Sequence, residues 1–169
     1  MTEKLEMILS TKFSFMKTNK VDGEKNIYKR WGCECSDGWF QLINDLCQAI
    51  TDRYNQDSQP IDIVVEQVKE KFASLRFYYS YEDAPCSIHA LDFLGSGLGI
   101  RFTPTSENTD DRKLLLRKDI AKIVREYETK SKSVCEVCGN TGTIRMDLPW
   151  KRTLCDKCYF EHMNRRKNK

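Results

Sequence analysis

The chain has 169 residues, 40% of them hydrophobic and 31% charged, with a net charge of +3. That is enough for one packed domain with a small metal-stapled appendage. No apolar run is long enough to span a bilayer, and no basic start followed by an apolar stretch marks a secretory leader. A reducing cytoplasm is therefore expected, in which the eight cysteines serve as metal ligands and buried thiols, not as a disulfide frame.

Charge is unevenly spread. Residues 1–110 carry 12 basic and 17 acidic side chains, whereas 111–169 carry 16 basic and 8 acidic, a net of +8. Such asymmetry marks either a polyanion-binding half or a solvated helix with a basic tail.

Residues 1–10 read as a short helix with Leu5, Ile8 and Leu9 on one side. Residues 17–26 are polar, and Asp22-Gly23 is a turn signal. Asp37 is placed to cap a helix over 38–54, because its carboxylate can accept from the free N–H groups of a first turn. Trp39, Leu42, Ile43, Leu46, Cys47 and Ile50 then form one continuous helical face, which predicts a core helix.

The period changes over 61–81. Ile61, Ile63 and Val65 alternate with Asp62, Val64 and Glu66, and Leu75, Phe77, Tyr79 and Tyr81 alternate with Arg76, Tyr78 and Ser80. This predicts a β-hairpin turning within 70–74, with the 38–54 helix covering one face. Tyr79 and Tyr81 share the core face. Arg76 and Tyr78 fall on the other and are candidates for partner contact. Residues 82–110 show no clear pattern. Gly95-Ser-Gly97-Leu-Gly99 lacks the strand-turn-helix setting of a phosphate loop and reads as a flexible loop.

A long helix is expected over 112–130, with Leu116, Ile120, Ile123, Val124 and Tyr127 inward. Arg112, Lys113, Lys118, Lys122 and Arg125 lie on its other face.

The most specific signal follows. Cys135-Glu-Val-Cys138 and Cys155-Asp-Lys-Cys158 are separated by 16 residues, within the roughly 15–20 typical of a four-sulfur zinc site. A two-residue gap lets one tight turn aim two sulfurs at one point, and a hairpin brings two such turns together. Gly139 suits the left-handed position that completes the first turn. The arms of that hairpin are read at 141–146 and 151–154, and a helix runs from Asp156 to about Arg166, a treble-clef or zinc-ribbon arrangement. One structural Zn2+ is the expected cofactor. Four thiolates around it lower the local basic excess to about +6. His162, four residues after Cys158, reads as a surface histidine.

The motifs together resemble a family of small uncharacterised bacterial and phage proteins. The resemblance rests on Trp31-Gly-Cys-Glu-Cys35-Ser-Asp-Gly-Trp39, on Val68-Lys-Glu-Lys-Phe72 with Leu75-Arg-Phe-Tyr-Tyr79, and on Cys135-Glu-x-Cys138-Gly139 with Thr153-Leu-Cys155-Asp156. It covers roughly 28–81 and 112–160. The chain departs from the pattern where Ala73-Ser74 replaces glycines, where Cys33 replaces an aromatic residue, and where 83–111 reads as an insertion. The resemblance implies an accessory protein of a phage or mobile element, acting in the host cytoplasm on a host protein such as a defence factor.

Other sites are weaker. Cys33, Cys35 and Cys47 lack a fourth ligand unless Cys86 or His89 supplies it, and Cys47 sits on an apolar face, which favours buried thiols. A Cys86–His89 nucleophile pair has no visible orienting group. Asp62, Glu66 and Lys69 suggest a metal-dependent nuclease only loosely, since strict alternation puts Glu66 and Lys69 on opposite faces.

The sequence therefore predicts an α+β protein, with a core over 1–132 that carries a loop-rich insertion at about 83–111, and a zinc module over 133–169. No enzyme is expected. The leading function is binding of a host protein, with inhibition of that protein as one outcome. The alternative is nucleic-acid binding through the basic half. Candidate contacts are Arg76, Tyr78, Lys118, Lys122, Arg125, Arg145, Lys151, Arg152, Arg165 and Arg166. No membrane partner is expected.

Overall fold

The computed structural model describes residues 1–21, 23–85, 90–92, 99–101 and 110–167. Asp22, Cys86, His89 and most of the glycine-rich stretch from Gly95 lie outside them.

Helix α1 (Glu3–Lys12) buries Leu9 and Glu6, while Ile8 is 44% exposed. The expected Leu5–Ile8–Leu9 side is thus rotated. The Glu6 carboxylate turns inward to accept from Cys33 N at 2.8 Å, and Leu9 and Phe13 follow it into the core. Helix α2 (Ile27–Trp31) is capped by Asn26, whose side chain accepts from Lys29 N. Strand β1 (Cys33–Glu34) follows. A 3-10 turn over Asp37–Trp39 then precedes α3 (Phe40–Gln56). This turn carries Asp37 away from the α3 amides. Its carboxylate accepts instead from Thr2 N at 2.7 Å, so the expected cap is not formed. The predicted apolar face holds: Trp39, Leu42, Ile43, Leu46, Cys47 and Ile50 are all buried.

The hairpin pairs β2 (Ile63–Lys71) with β3 (Ser74–Tyr81), and β1 joins β2 in parallel to give the order β1-β2-β3. A bulge at Glu66 lets Val65 face Tyr79 and Gln67 face Tyr78. Core positions therefore run 63, 65, 68, not in strict alternation. Phe72 and Ala73 form the two-residue turn with φ of 52° and 60°. Both lie in the left-handed region that this turn requires and that glycine adopts most easily. This explains why a glycine would suit position 73. Ser74 already belongs to β3.

Strand β3 is a sheet edge, yet two of its N–H groups are taken. Leu75 N donates to Ser131 Oγ at 2.8 Å, and Phe77 N donates to the buried Glu128 carboxylate at 2.9 Å. Both acceptors come from α4 (Asp111–Lys130) and the 3-10 turn after it (Ser131–Ser133). Covering an edge in this way blocks pairing with another chain. The start of α4 is capped by the Asp110 carboxylate, which accepts from Arg112 N and Lys113 N. Its Leu116, Ile120 and Val124 enter the same core as α1, α3, β2 and β3.

Strands β4 (Ala90–Asp92) and β5 (Gly99–Arg101) form an antiparallel pair inside the loop-rich insertion, where no strand was legible. Three-residue strands carry too short an alternation to be read from sequence. At the C-terminal end, β6 (Thr143–Arg145) pairs antiparallel with β7 (Arg152–Leu154), and α5 (Asp156–Lys167) follows. A second small core of Cys135, Leu148, Leu154 and Cys158 lies between them. The fold is α+β, as predicted. Among the described residues, no helix is long and apolar enough to cross a membrane.

Candidate metal centre

The first cysteine pair sits on a tight turn. Cys135 O accepts from Gly139 N at 2.9 Å, and Gly139 adopts φ 79°. Cys155 ends the β6–β7 hairpin, and Cys158 lies in the first turn of α5, with its N–H toward Cys155 Sγ at 3.5 Å. The four sulfurs all lie within 4.8 Å of one another, and Cys138 Sγ is 3.6 Å from Cys155 Sγ. A tetrahedral site with metal–sulfur bonds of about 2.3 Å requires sulfur–sulfur edges of about 3.8 Å. The arrangement fits a single metal ion. Among the described residues there is no disulfide, and every cysteine there is a free thiol. A knuckle, a hairpin that ends on Cys155, and a helix whose first turn carries Cys158 make a treble-clef order of elements.

Electrostatics favour thiolate formation at one end of the cluster. Burial would raise Cys135, but backbone N–H groups around it bring its pKa down to about 7. Burial and the neighbouring thiols push Cys158 up.

The knuckle is clamped on three sides. Gly38 N donates to Glu136 O at 3.0 Å, and Trp39 Nε1 donates to Val134 O at 2.9 Å, tying it to the start of α3. Glu136 N donates to Thr153 O at 3.0 Å. Thr153 Oγ1, fully buried, donates to Ala73 O at 2.7 Å, which ties the metal hairpin to the tip of the core hairpin. Glu136 is itself buried and pairs with Arg152; burial pushes its carboxyl up against the pull of that guanidinium.

A cavity of about 380 Å³ opens where the two hairpins meet. Its apolar wall is Phe72, Ile144, Met146, Pro149 and Trp150, and its polar rim includes Arg76, Lys132 and Lys151. The Phe72 and Trp150 rings are stacked, with centroids 6.5 Å apart and planes 20° from parallel. Trp150 Nε1 donates to Glu70 Oε2 at 2.9 Å, which fixes the indole although it is 59% exposed.

The other predicted contacts scatter. Arg76 and Lys151 reach this cavity. Tyr78 does not face outward: it is buried, and the Lys69 ammonium lies 5.4 Å from its ring centre. Little of its side chain is therefore open to a partner, although Arg76 on the same face of β3 is half-buried and reaches the cavity. Arg145 pairs with Asp156 at 2.5 Å and Arg152 with Glu136, so both are consumed in the fold. Lys118, Lys122 and Arg125 are exposed on α4, and Arg165 is exposed on α5. The Arg166 side chain lies outside the described residues.

Cys33 and Cys47 are buried in the main core and Cys35 packs against it. Burial raises all three thiols, Cys35 to about 12. Among the described residues, the metal-type cluster contains only the four C-terminal cysteines, and His162 is not part of it. The parity argument against Glu66 and Lys69 fails, since the Glu66 bulge puts both at non-core positions. The carboxylates are nonetheless engaged apart. Asp62 accepts from Tyr54 Oη at 2.7 Å and pairs with Lys113 and Arg117, whereas Glu66 accepts from Asn26 and Ser80.

Sequence reading missed the buried Arg117, Glu128 and Glu6, because a charged residue inside an amphipathic pattern reads as surface. It also missed Phe72 and Trp150 as a pair, since 77 residues separate them. No protein-family model, curated protein or solved structure matches this chain.

Proposed function

We propose that Cys135, Cys138, Cys155 and Cys158 hold one structural zinc ion, and that the protein is a non-enzymatic binding protein whose working surface is held rigid by that ion. The carrying observation is the four-sulfur cluster itself. All four tetrahedral positions are filled by protein sulfur, which leaves no open position for substrate. The clamps through Gly38, Trp39 and Thr153 connect the metal to the core hairpin and the cavity beside it. The motif resemblance supports a phage or mobile-element origin and a host protein, such as a defence factor, as the partner.

Metal analysis of the purified protein tests the first part. About one zinc per chain is expected, with no visible absorption from iron, the other metal that suits four thiolates. Cys135→Ser should lose the zinc and unfold at least the C-terminal module, because binding and folding of such sites are coupled. Full zinc content with an unchanged melting curve would refute the assignment. Affinity capture from host lysate tests the second part, and recovery of no protein at all counts against it.

A second reading, nucleic-acid binding, is favoured by Lys122, Arg125 and Lys130, which line a shallow cleft on the exposed side of α4 and outnumber its single carboxylate, Glu126. A gel shift at low salt tests it, since phosphate contacts are strongest there. No shift under those conditions removes it.

A further inference from the structure

The cavity between the two hairpins has the composition of a recognition site for one kind of ligand. The geometry points to an acidic peptide segment of the partner, docking one bulky apolar side chain against Phe72 and Trp150 while its flanking carboxylates meet Arg76, Lys132 and Lys151. This rests on the reading of the chain as a binding protein and names the chemistry of what is bound.

Three observations carry it. The first is unspent positive charge. Elsewhere in this module the buried and half-buried cations are neutralised, Arg145 by Asp156 and Arg152 by Glu136. Arg76, Lys132 and Lys151 have no carboxylate partner among the described residues, and no acidic side chain lines the cavity. Arg76 is directed by bonds from its Nη1 to Ser74 Oγ at 2.7 Å and to Leu75 O at 3.4 Å, which leaves its Nε and Nη2 N–H groups to a ligand. A partner that brings carboxylates satisfies all three cations.

The second is a fixed aromatic anchor. Trp150 is stacked on Phe72 and pinned through its indole N–H by Glu70. A large apolar ring that is exposed yet immobile loses little entropy on binding, and such residues dominate interface energetics. Met146, 65% exposed, offers an adaptable neighbour that moulds to different side chains.

The third is the shape of the apolar wall. Ile144, Met146 and Pro149 are aliphatic and suit a side chain, not a run of stacked bases. The strand edge beside the site is closed by Ser131 and Glu128. Recognition therefore runs through side chains, without addition of a strand to β3.

The test uses the full zinc-loaded chain and short fluorescein-labelled peptides read by fluorescence anisotropy. The probes are Glu-Glu-Trp-Glu-Glu and Glu-Glu-Leu-Glu-Glu, the same frame with Ala at the centre, the Lys-flanked Trp peptide, and an oligothymidylate of matching charge. Binding is expected for the Glu-flanked Trp or Leu peptide. It should weaken at least about tenfold with Ala at the centre and vanish with Lys flanks. Trp150→Ala and, separately, the double variant Lys132→Glu/Lys151→Glu should each weaken it about tenfold while zinc content and melting temperature stay unchanged. The proposal is overturned if no Glu-flanked peptide binds, if the Ala-centred peptide binds as well as the Trp peptide, if the oligothymidylate binds more tightly than every peptide, or if Trp150→Ala leaves affinity intact. Zinc measured on the same samples keeps failure of the groove separate from failure of the metal assignment. A captured partner whose binding ignores Trp150→Ala would preserve the binding role and remove the groove.

Discussion

Gly38 and Gly139 pack backbone to backbone where α3 begins and the metal knuckle ends. A Cβ at Gly38 would stand 2.6 Å from Gly139 N and 2.7 Å from Cys138 N, closer than real Cβ contacts come. The peptide around Gly38 therefore forms the floor under the knuckle, and its own N–H is already given to Glu136 O. The Asp-Gly-Trp motif near residue 38 and the Cys-Gly motif at 138–139, far apart in the chain, are two sides of one contact.

Gly38→Ala should accordingly act on the metal site without touching a ligand. The obstructing atoms are backbone, so the knuckle must shift. Overpacking of this kind costs about 1–3 kcal/mol. The expected result is a melting temperature lower by several degrees and faster zinc loss to a chelator. Unchanged chelation kinetics would show that the knuckle is not seated on Gly38.

Thr153 ties the metal hairpin to the strained tip of the core hairpin through Ala73 O. Thr153→Val keeps the volume and removes the donor, leaving a buried carbonyl unsatisfied. The expected loss is about 1–3 kcal/mol in denaturant unfolding. Zinc content should remain full, because no ligand changes. A variant as stable as the parent would mean that the clamp contributes nothing.

Glu128 closes the β3 edge by accepting from Phe77 N. Glu128→Ala leaves that N–H unpaired and should cost about 1–3 kcal/mol. It also opens a hydrogen-bonding edge, so self-association at high concentration should rise. Light scattering checks the second effect separately from the first. A monomer at every concentration would show that other groups protect the edge.

The acid limb of stability should depend on Asp83. Lys113 donates to its carboxylate at 2.8 Å and Arg117 also binds it. The Lys113 bond, foremost, holds its pKa below the ordinary 3.8; burial opposes it, and Arg117 adds to the lowering. A depressed carboxyl stabilises the fold at pH values above its unfolded pKa. That contribution is lost as pH falls through the native pKa, hence below about 3.8. Asp83→Asn should show a lower melting temperature at neutral pH and a shallower decline below pH 3.8 than the parent. Parallel curves for the two proteins would exclude the link.

Much of this architecture follows from local pattern. The α3 face, the hairpin, α4 and the four-cysteine spacing each repeat one short-range rule, in which side-chain period or ligand geometry dictates the backbone, and each is present where expected. The tertiary structure decided what those rules leave open. Asp37 bonds Thr2 instead of α3, because an extra turn displaces the helix start. Tyr78 is covered, although its alternation alone would send it outward. Arg117 goes inward, because Asp62 and Asp83 arrive from other segments to neutralise it. The cavity at Phe72 and Trp150 has no local signature at all. It forms where Thr153 and Trp150 hold the metal hairpin against the tip of the core hairpin, long-range contacts that no periodicity along the chain records.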